Sequence, residues 1–332
     1  MKEPKTLQQA IQYFSDEQTC IDAVAAMRWP NGVVCSLCGA DEPYYLKTQK
    51  RWKCRKCRKQ FSVKVNSIFE DSPISLTKWL PALWLIVNCK NGISSYEIAK
   101  DLGVTQKSAW FMLQRLRLAL RARDFSFKLG GNGGGAVEVD ECFVGGKTQF
   151  MHRSRKLRIQ REKNEIPAWK STAGYYGKTP VMGIFDRNSR QVRAKVVPNV
   201  RRETLQAEIL ENIERGSAIY SDEAVAYHNL REQFVHETVN HLSAYVRGQV
   251  HTNCLENFWS LTKRTLRGTY VCVEPFHLDR YVDEQVFRFN NRATKENPLN
   301  DSDRFLLALS QVANKRLTYA ELTGKTGATT PF

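Results

Sequence analysis

Long apolar runs are missing from this 332-residue chain, and no stretch approaches the roughly 20 consecutive apolar residues that span a bilayer. A membrane-spanning helix is excluded on that ground. Acidic residues are in deficit, 34 Asp and Glu against 50 Lys and Arg, which leaves a formal net charge of +16. The surplus favours a polyanionic partner, nucleic acid ahead of an anionic membrane surface. No apolar leader surrounds Glu3, Gln8 and Gln9, so the chain is expected in the cytoplasm. Cysteines number nine but lack the spacing of a disulfide framework: four form two tight pairs, while Cys20, Cys89, Cys142, Cys254 and Cys272 are scattered among apolar neighbours. That pattern suits a reducing compartment and a bound metal. The length suits two or three domains.

The two pairs are Cys35 with Cys38 and Cys54 with Cys57, separated by fifteen residues. Four thiolates so spaced can surround one zinc tetrahedrally, leaving no open ligand position, so the metal is expected to support folding. Tyr44 to Lys47 and Arg51 to Lys53 read as short strands between the knuckles, which makes the unit a zinc ribbon. Lys50, Arg51, Lys53, Arg55, Lys56, Arg58 and Lys59 crowd the second knuckle densely enough to predict phosphate contact. Before the ribbon, residues 6 to 27 carry apolar positions at helical spacing and read as one or two short helices.

From Ile74 an apolar helix runs to Cys89. Ser94 to Trp110 then reads as a capped short helix, a turn at Gly103 and a second helix capped by Thr105. The pattern is that of a helix-turn-helix, with Ile98, Ala99, Leu102 and Val104 inward and Gln106, Lys107 and Ser108 placed where base edges are read; an ordinary helical hairpin is the alternative. The second helix continues through Leu113, Leu116, Leu118 and Leu120, with Arg115, Arg117, Arg121 and Arg123 expected on its outer side. The run Gly130 to Gly135, interrupted only by Asn132, reads as a linker.

Beyond it, Ala136 to Val144 alternates strictly, placing Val137, Val139, Glu141 and Phe143 on one face and Glu138 with Asp140 on the other. Val181 to Asp186, Val192 to Val197, Ala218 to Asp222 and Val235 to Val239 read as further strands; Arg202 to Glu214 and Ala226 to Phe234 read as helices. A helix over 251–264 follows, on which Glu256 and Lys263 lie close to two turns apart and therefore on one face, while Leu255, Phe258, Trp259 and Leu266 form an apolar stripe. His277 to Asn291, with Arg288 and Arg292 within reach of DNA, and Phe305 to Val312 close the helical pattern.

Three strands, helix, strand, helix, strand, helix is the layout of the ribonuclease-H-like fold, and the chain resembles the DDE-type bacterial insertion-sequence transposases that carry an N-terminal zinc ribbon. The likeness rests on Cys35 through Cys57, Val139-Asp140-Glu141, Gly145-Gly146-Lys147, Tyr220-Ser221-Asp222, and His251-Thr252-Asn253 through Lys263-Arg264; it covers roughly residues 30 to 295. It implies a multidomain α/β protein: N-terminal helices (1–29), zinc ribbon (30–66), helix-turn-helix domain (67–129), linker (130–135), a ribonuclease-H-like catalytic domain with a mixed five-stranded sheet and flanking helices (136–295), and a C-terminal helix and tail (296–332). It implies Asp140, Asp222 and Glu256 as catalytic acids with Lys263 beside them.

Two carboxylates on adjacent strand ends and a third on a facing helix suit two magnesium or manganese ions in an in-line phosphoryl displacement, with Lys263 as a point charge on the phosphate. The expected function is a DNA transposase that binds terminal inverted repeats, cleaves strands and transfers them, acting as a dimer or higher multimer on double-stranded DNA in the bacterial cytoplasm, associated with the nucleoid. A related nuclease or integrase, or an inactive regulator derived from a transposase, are the alternatives.

Several residues admit plainer roles. Glu138 shares the strand face of Asp140 and could take its place; Asp186 is most simply a turn residue; His241 and His251 could touch phosphate or only brace the loop before Glu256. The connection 147–179 carries Arg153, Arg155, Lys156 and Arg158 with Trp169, Tyr175 and Tyr176, a basic, aromatic-bearing segment expected to be disordered without DNA and to clamp a strand with it. Arg264 completes the expected DNA contacts.

Overall fold

The computed structural model describes residues 4–121, 127–131, 135–146, 150–163, 177–222, 227, 230, 233–239 and 251–325, with the side chains of 158, 160, 162, 163 and 239 outside it. Contact density divides the chain into two units. One comprises residues 1–122, 265–272 and 283–331; the other comprises 123–264, 273–282 and Phe332.

The first unit is built around α3 (Leu76–Asn88). Nine of its thirteen residues are buried, among them Trp79, Leu83 and Trp84, so it is apolar on all sides, as a helix enclosed by others must be. Around it lie α1 (Leu7–Tyr13), α2 (Glu17–Arg28), α4 (Ser95–Leu102), α5 (Gln106–Leu120) and α10 (Asp301–Ser310). The expected boundary at residue 296 differs from this division. Phe305, Ala308, Leu309 and Val312 share one core with α3, so the chain's last helices, α10 and α11 (Tyr319–Leu322), lie in this unit.

The zinc-ribbon segment forms a three-stranded antiparallel sheet from β1 (Tyr44–Leu46), β2 (Arg51–Lys53) and β3 (Gln60–Phe61). Trp52 and Phe61 stack with ring centroids 6.1 Å apart and carry the ribbon into the unit's core. Helix α4 opens with a capping box between Ser94 and Glu97 and ends at Gly103, whose left-handed backbone (φ +57°) turns the chain into the Thr105 cap of α5.

On α5, Arg115 and Arg117 do not lie outward as expected. Arg115 and Arg117 are only 4 % and 1 % exposed. Arg115 donates through Nε to the Leu317 carbonyl at 3.1 Å, and Arg117 through Nε to Glu284 Oε2 at 2.6 Å. The helix is covered on both sides, so its cations turn to buried acceptors instead of solvent. Arg288 likewise pairs with Glu284, one turn before it on α9 (Pro275–Asn290), and is not available to DNA. Arg121 remains partly exposed, 3.9 Å from Asp283, while Arg123 lies outside the described residues.

The second unit contains a five-stranded sheet in the order β6-β5-β4-β7-β8, from β4 (Val137–Val144), β5 (Thr179–Asp186), β6 (Gln191–Val196), β7 (Ala218–Asp222) and β8 (Val235–Val239). The first three in sequence are antiparallel neighbours; β7 and β8 run parallel to β4. The alternation in β4 sorts its side chains as the sequence predicts. Val137 and Val139 join Met182, Ile184 and Ile219 beneath Leu205 and Ile209 of α7 (Arg202–Asn212), while the opposite face receives α8 (Asn253–Gly268) through Leu255 and Trp259 against Gly183. The glycine-rich segment is partly docked in this unit: Leu129 bridges to Ile213 and the Gly131 N–H donates to Ser217 Oγ at 2.9 Å. In the basic connection, where disorder was expected, α6 spans Arg153–Lys163; Lys147, Trp169, Tyr175 and Tyr176 lie outside the described residues, as does His241. Of the expected helix from Ala226 to Phe234, only Tyr227, Leu230, Gln233 and Phe234 are described.

Candidate active site and metal centre

The Sγ atoms of Cys35, Cys38, Cys54 and Cys57 all lie within 4.8 Å of one another. Cys35 and Cys57 are 3.8 Å apart and Cys38 and Cys54 3.6 Å. A tetrahedral zinc with bonds of about 2.3 Å requires edges of about 3.8 Å, so the thiols sit at the vertices of such a site and much too far apart for disulfides. The Cys57 N–H donates to the Cys54 sulfur at 3.4 Å, and this bond leads the causes that lower the Cys54 thiol to about 7, toward the thiolate a metal needs. The basic residues beside the knuckle point to solvent: Arg51, Arg55, Lys56, Arg58 and Lys59 are exposed and Lys53 is half-buried.

In the second unit, Glu138 pairs across to Tyr220 on the parallel strand β7, and two residues further along each strand stand Asp140 and Asp222, on the same sheet face. Asp140 is pushed up to about 6, first by burial and next by the charge of Asp222, with Glu256 contributing less. Its carboxylate accepts the Glu141 N–H at 2.8 Å and the Trp259 indole N–H at 3.0 Å. Glu256, on the first turn of α8, is exposed; Lys263 is half-buried on the same helix and Arg264 is exposed. Asp140 is near enough to Asp222 and to Glu256 to feel the charge of each, so the three carboxylates share one region. They are not gathered as tightly as the cysteines, which are the one set of three or more ligand side chains close enough for a single ion among the described residues.

Glu141, on the other face, is half-buried against Tyr227, whose hydroxyl donates to it; loss of solvent there pushes this carboxyl up to about 7. Glu138, the candidate substitute for Asp140, is fully buried and engaged on both oxygens. Oε2 accepts the N–H groups of Cys254 and Leu255 at 3.0 and 3.1 Å, and Oε1 accepts Arg187 Nε at 2.7 Å. The same guanidinium reaches the ring nitrogen and the carbonyl of His251 and lies 4.8 Å over the Tyr220 ring. His251 is thus a bracing residue in this geometry. Asp186 makes the expected turn, accepting from the Asn188 N–H at 2.8 Å and from Ser189 Oγ.

Trp259, Arg187, Gly183 and Tyr227 escape the sequence reading. Trp259 registers there only as an apolar stripe position, and nothing in sequence separates a glycine that admits a ring from a glycine in a strand. The remaining predicted contact residues divide. Lys107 is exposed but lies over the Tyr319 ring; Gln106 donates to Ser95 Oγ, and Ser108 Oγ accepts from Thr105 Oγ1, which ties both to the cap and the turn. Arg153 is exposed, Arg155 approaches Glu274 at 4.0 Å, and Lys156 is half-buried; the Arg158 side chain lies outside the described residues.

The chain thus joins a zinc-ribbon segment to a mixed five-stranded sheet with Asp140 and Asp222 on neighbouring parallel strands, and comparison with known proteins gives its class. Residues 132–290 match the ISXO2-like transposase domain, and residues 15–60 match the transposase zinc-ribbon domain. A protein of the transposable element ISH50 of Halobacterium salinarum is 27 % identical over 77 % of this chain and 85 % of its own length. A transposase-like protein of Haemophilus influenzae is 32 % identical over 32 % of this chain and 85 % of its own length. The chain belongs to the ISXO2-like family of insertion-sequence transposases. The four-cysteine cluster within its zinc-ribbon domain is the site for one structural zinc. No helix among the described residues is long and apolar enough to cross a membrane.

Proposed function

We propose that this protein is an active DNA transposase that binds the terminal inverted repeats of its element and cuts and rejoins DNA strands with Asp140, Asp222 and Glu256 on a ribonuclease-H-like domain. The observation that carries the reading is the pair Asp140 and Asp222 on neighbouring parallel strands, facing the helix that bears Glu256, with the Asp140 carboxyl raised to about 6 first by burial and then by the charge of Asp222. Such a concentration of negative charge and hard oxygen donors fits divalent magnesium or manganese better than zinc. When bound, two such ions supply Lewis-acid stabilisation of the attacking and leaving oxygens of phosphoryl transfer.

The chain's own residues prepare that site. Trp259 fixes one oxygen of Asp140 by its indole N–H, Glu256 approaches from the exposed end of α8, and Lys263, two turns along, offers a cation to the scissile phosphate. The exposed basic rim of the zinc ribbon binds the DNA backbone, and α4 with α5 acts as a helix-turn-helix beside it. Arg153, Arg155 and Lys156 on α6 add contacts to a strand near the acids. Two element ends must be held together for strand transfer, so the working form on DNA is a dimer or larger.

Strand cleavage and transfer of element-end DNA with magnesium, wild type against Asp222→Ala, tests the reading. Loss of both steps with DNA binding retained supports it, and undiminished cleavage by the variant removes it.

A further inference from the structure

Glu138 is 0 % exposed, a burial that a carboxyl group sustains only when its oxygens are fully partnered. Two of its partners are the backbone N–H groups of Cys254 and Leu255, the second and third residues of α8. The first N–H groups of any helix have no partner within it and carry the positive end of its dipole. They are ordinarily satisfied by the residue that begins the helix. Here an acid from strand β4, two residues before Asp140, takes them. The next residue along α8 is Glu256.

The other oxygen is held by Arg187, which follows β5 directly and also binds the His251 carbonyl and ring just before α8. One carboxylate therefore joins three pieces of chain: the strand that carries the first acid, the turn after its neighbouring strand, and the entry to the helix that carries the third.

We infer that Glu138 is a positioning residue that locks the first turn of α8 to β4 and thereby sets the place of Glu256 relative to Asp140, without itself binding a metal. The inference rests on the active-site reading above. Its consequence is that the gap between first and third acids is set by a bond that does not depend on metal, so the site is part-built before any ion arrives.

Full-length, zinc-loaded Glu138→Gln and Glu138→Ala are compared with wild type and with Glu256→Ala. Backbone amide exchange at Cys254 and Leu255 is expected to quicken at least tenfold in Glu138→Ala and less in Glu138→Gln, with β5 protection unchanged. Manganese titration followed by the paramagnetic signal of the free ion is expected to show at least tenfold weaker binding in Glu138→Ala, partly recovered in Glu138→Gln. Purely structural damage would lower the melting temperature without moving manganese affinity of the folded protein, and that result overturns the inference. So do unchanged exchange rates at the two amides. Should Glu138→Ala fail to fold, Glu138→Gln carries both measurements. Weaker manganese binding in Glu256→Ala with no change in the Glu138 variants sinks the inference alone; no change in Glu256→Ala sinks the active-site reading and the inference with it.

Discussion

Trp259 reaches Asp140 only because residue 183 has no side chain. The indole N–H donates to Asp140 Oδ2 at 3.0 Å, and a Cβ on Gly183, the residue paired with Asp140 across β5, would stand 2.5 Å from Trp259 Cζ2 and 3.1 Å from a Leu255 methyl. Gly183→Ala must therefore push α8 away from the sheet at the point where it meets the first acid. Overpacking of this kind costs about 1–3 kcal/mol. Urea unfolding should show that loss, and single-turnover strand cleavage should fall more than end-DNA affinity does. Equal stability and equal cleavage would mean that the helix yields freely and that the close approach is incidental.

The metal-free site should be a burden on stability, and Asp140 gives the sign. Its carboxyl is raised from an ordinary 3.8 to about 6, so between those values the folded state holds a proton that the unfolded state has lost. Stability attributable to this group is therefore highest below pH 4 and declines as pH rises through 6. About two units correspond to at most about 3 kcal/mol. Asp140→Asn, without divalent ions, should melt higher than wild type at pH 7.5, and the gap should close as pH falls toward 4. A gap that stays constant with pH would show that Asp140 is not held near 6.

Much of this could be read from residue order, and the failures share one cause. Strand alternation placed Glu138 and Asp140 on one face, and β7 and β8 lie where the sequence puts them, because period-two patterns and Cys-x-x-Cys spacing are local properties. The roles of Arg115, Arg117 and Arg288 were not legible. A cation on a helix reads as solvent-facing until a distant acceptor is known, and here the acceptors include the Leu317 carbonyl for Arg115, Glu284 for Arg117 and the Ile86 carbonyl for Arg288. Glu138 was ambiguous for the same reason: two of its partners are backbone groups more than a hundred residues away, which no side-chain pattern announces.

The zinc site makes a separate claim. Cys35 and Cys54 belong to the same buried core as Trp52, Phe61 and α3, so the metal ties the ribbon to the unit's interior. Removing one ligand should release the zinc and with it much of the ribbon's folding energy. Native mass spectrometry should find one zinc per wild-type chain and none in Cys54→Ser, and the melting transition of the variant should fall by on the order of 10 °C. Retention of stoichiometric zinc by Cys54→Ser would contradict the four-thiolate site.

Burial also separates the cations that solvent, and hence a polyanion, can reach from those it cannot. Arg117 is 1 % exposed, bonded to Glu284 and placed 4.9 Å over the Tyr270 ring, whereas Lys56 is exposed on the ribbon rim. Glu284 is wholly buried, which alone would raise its carboxyl, yet Arg288 and Arg117 outweigh that and hold it below the usual range. Arg117→Ala weakens this buried network and should cost about 3–5 kcal/mol of stability. It removes no phosphate contact, so the slope of log affinity against log salt for end DNA should not change. Lys56→Ala should leave stability nearly untouched and reduce the magnitude of that slope by about 0.9, the release of roughly one counterion. The two variants thus exchange effects, one acting on unfolding and the other on salt dependence. A shallower salt slope in Arg117→Ala, measured where the protein is fully folded, would return that arginine to the DNA-facing surface.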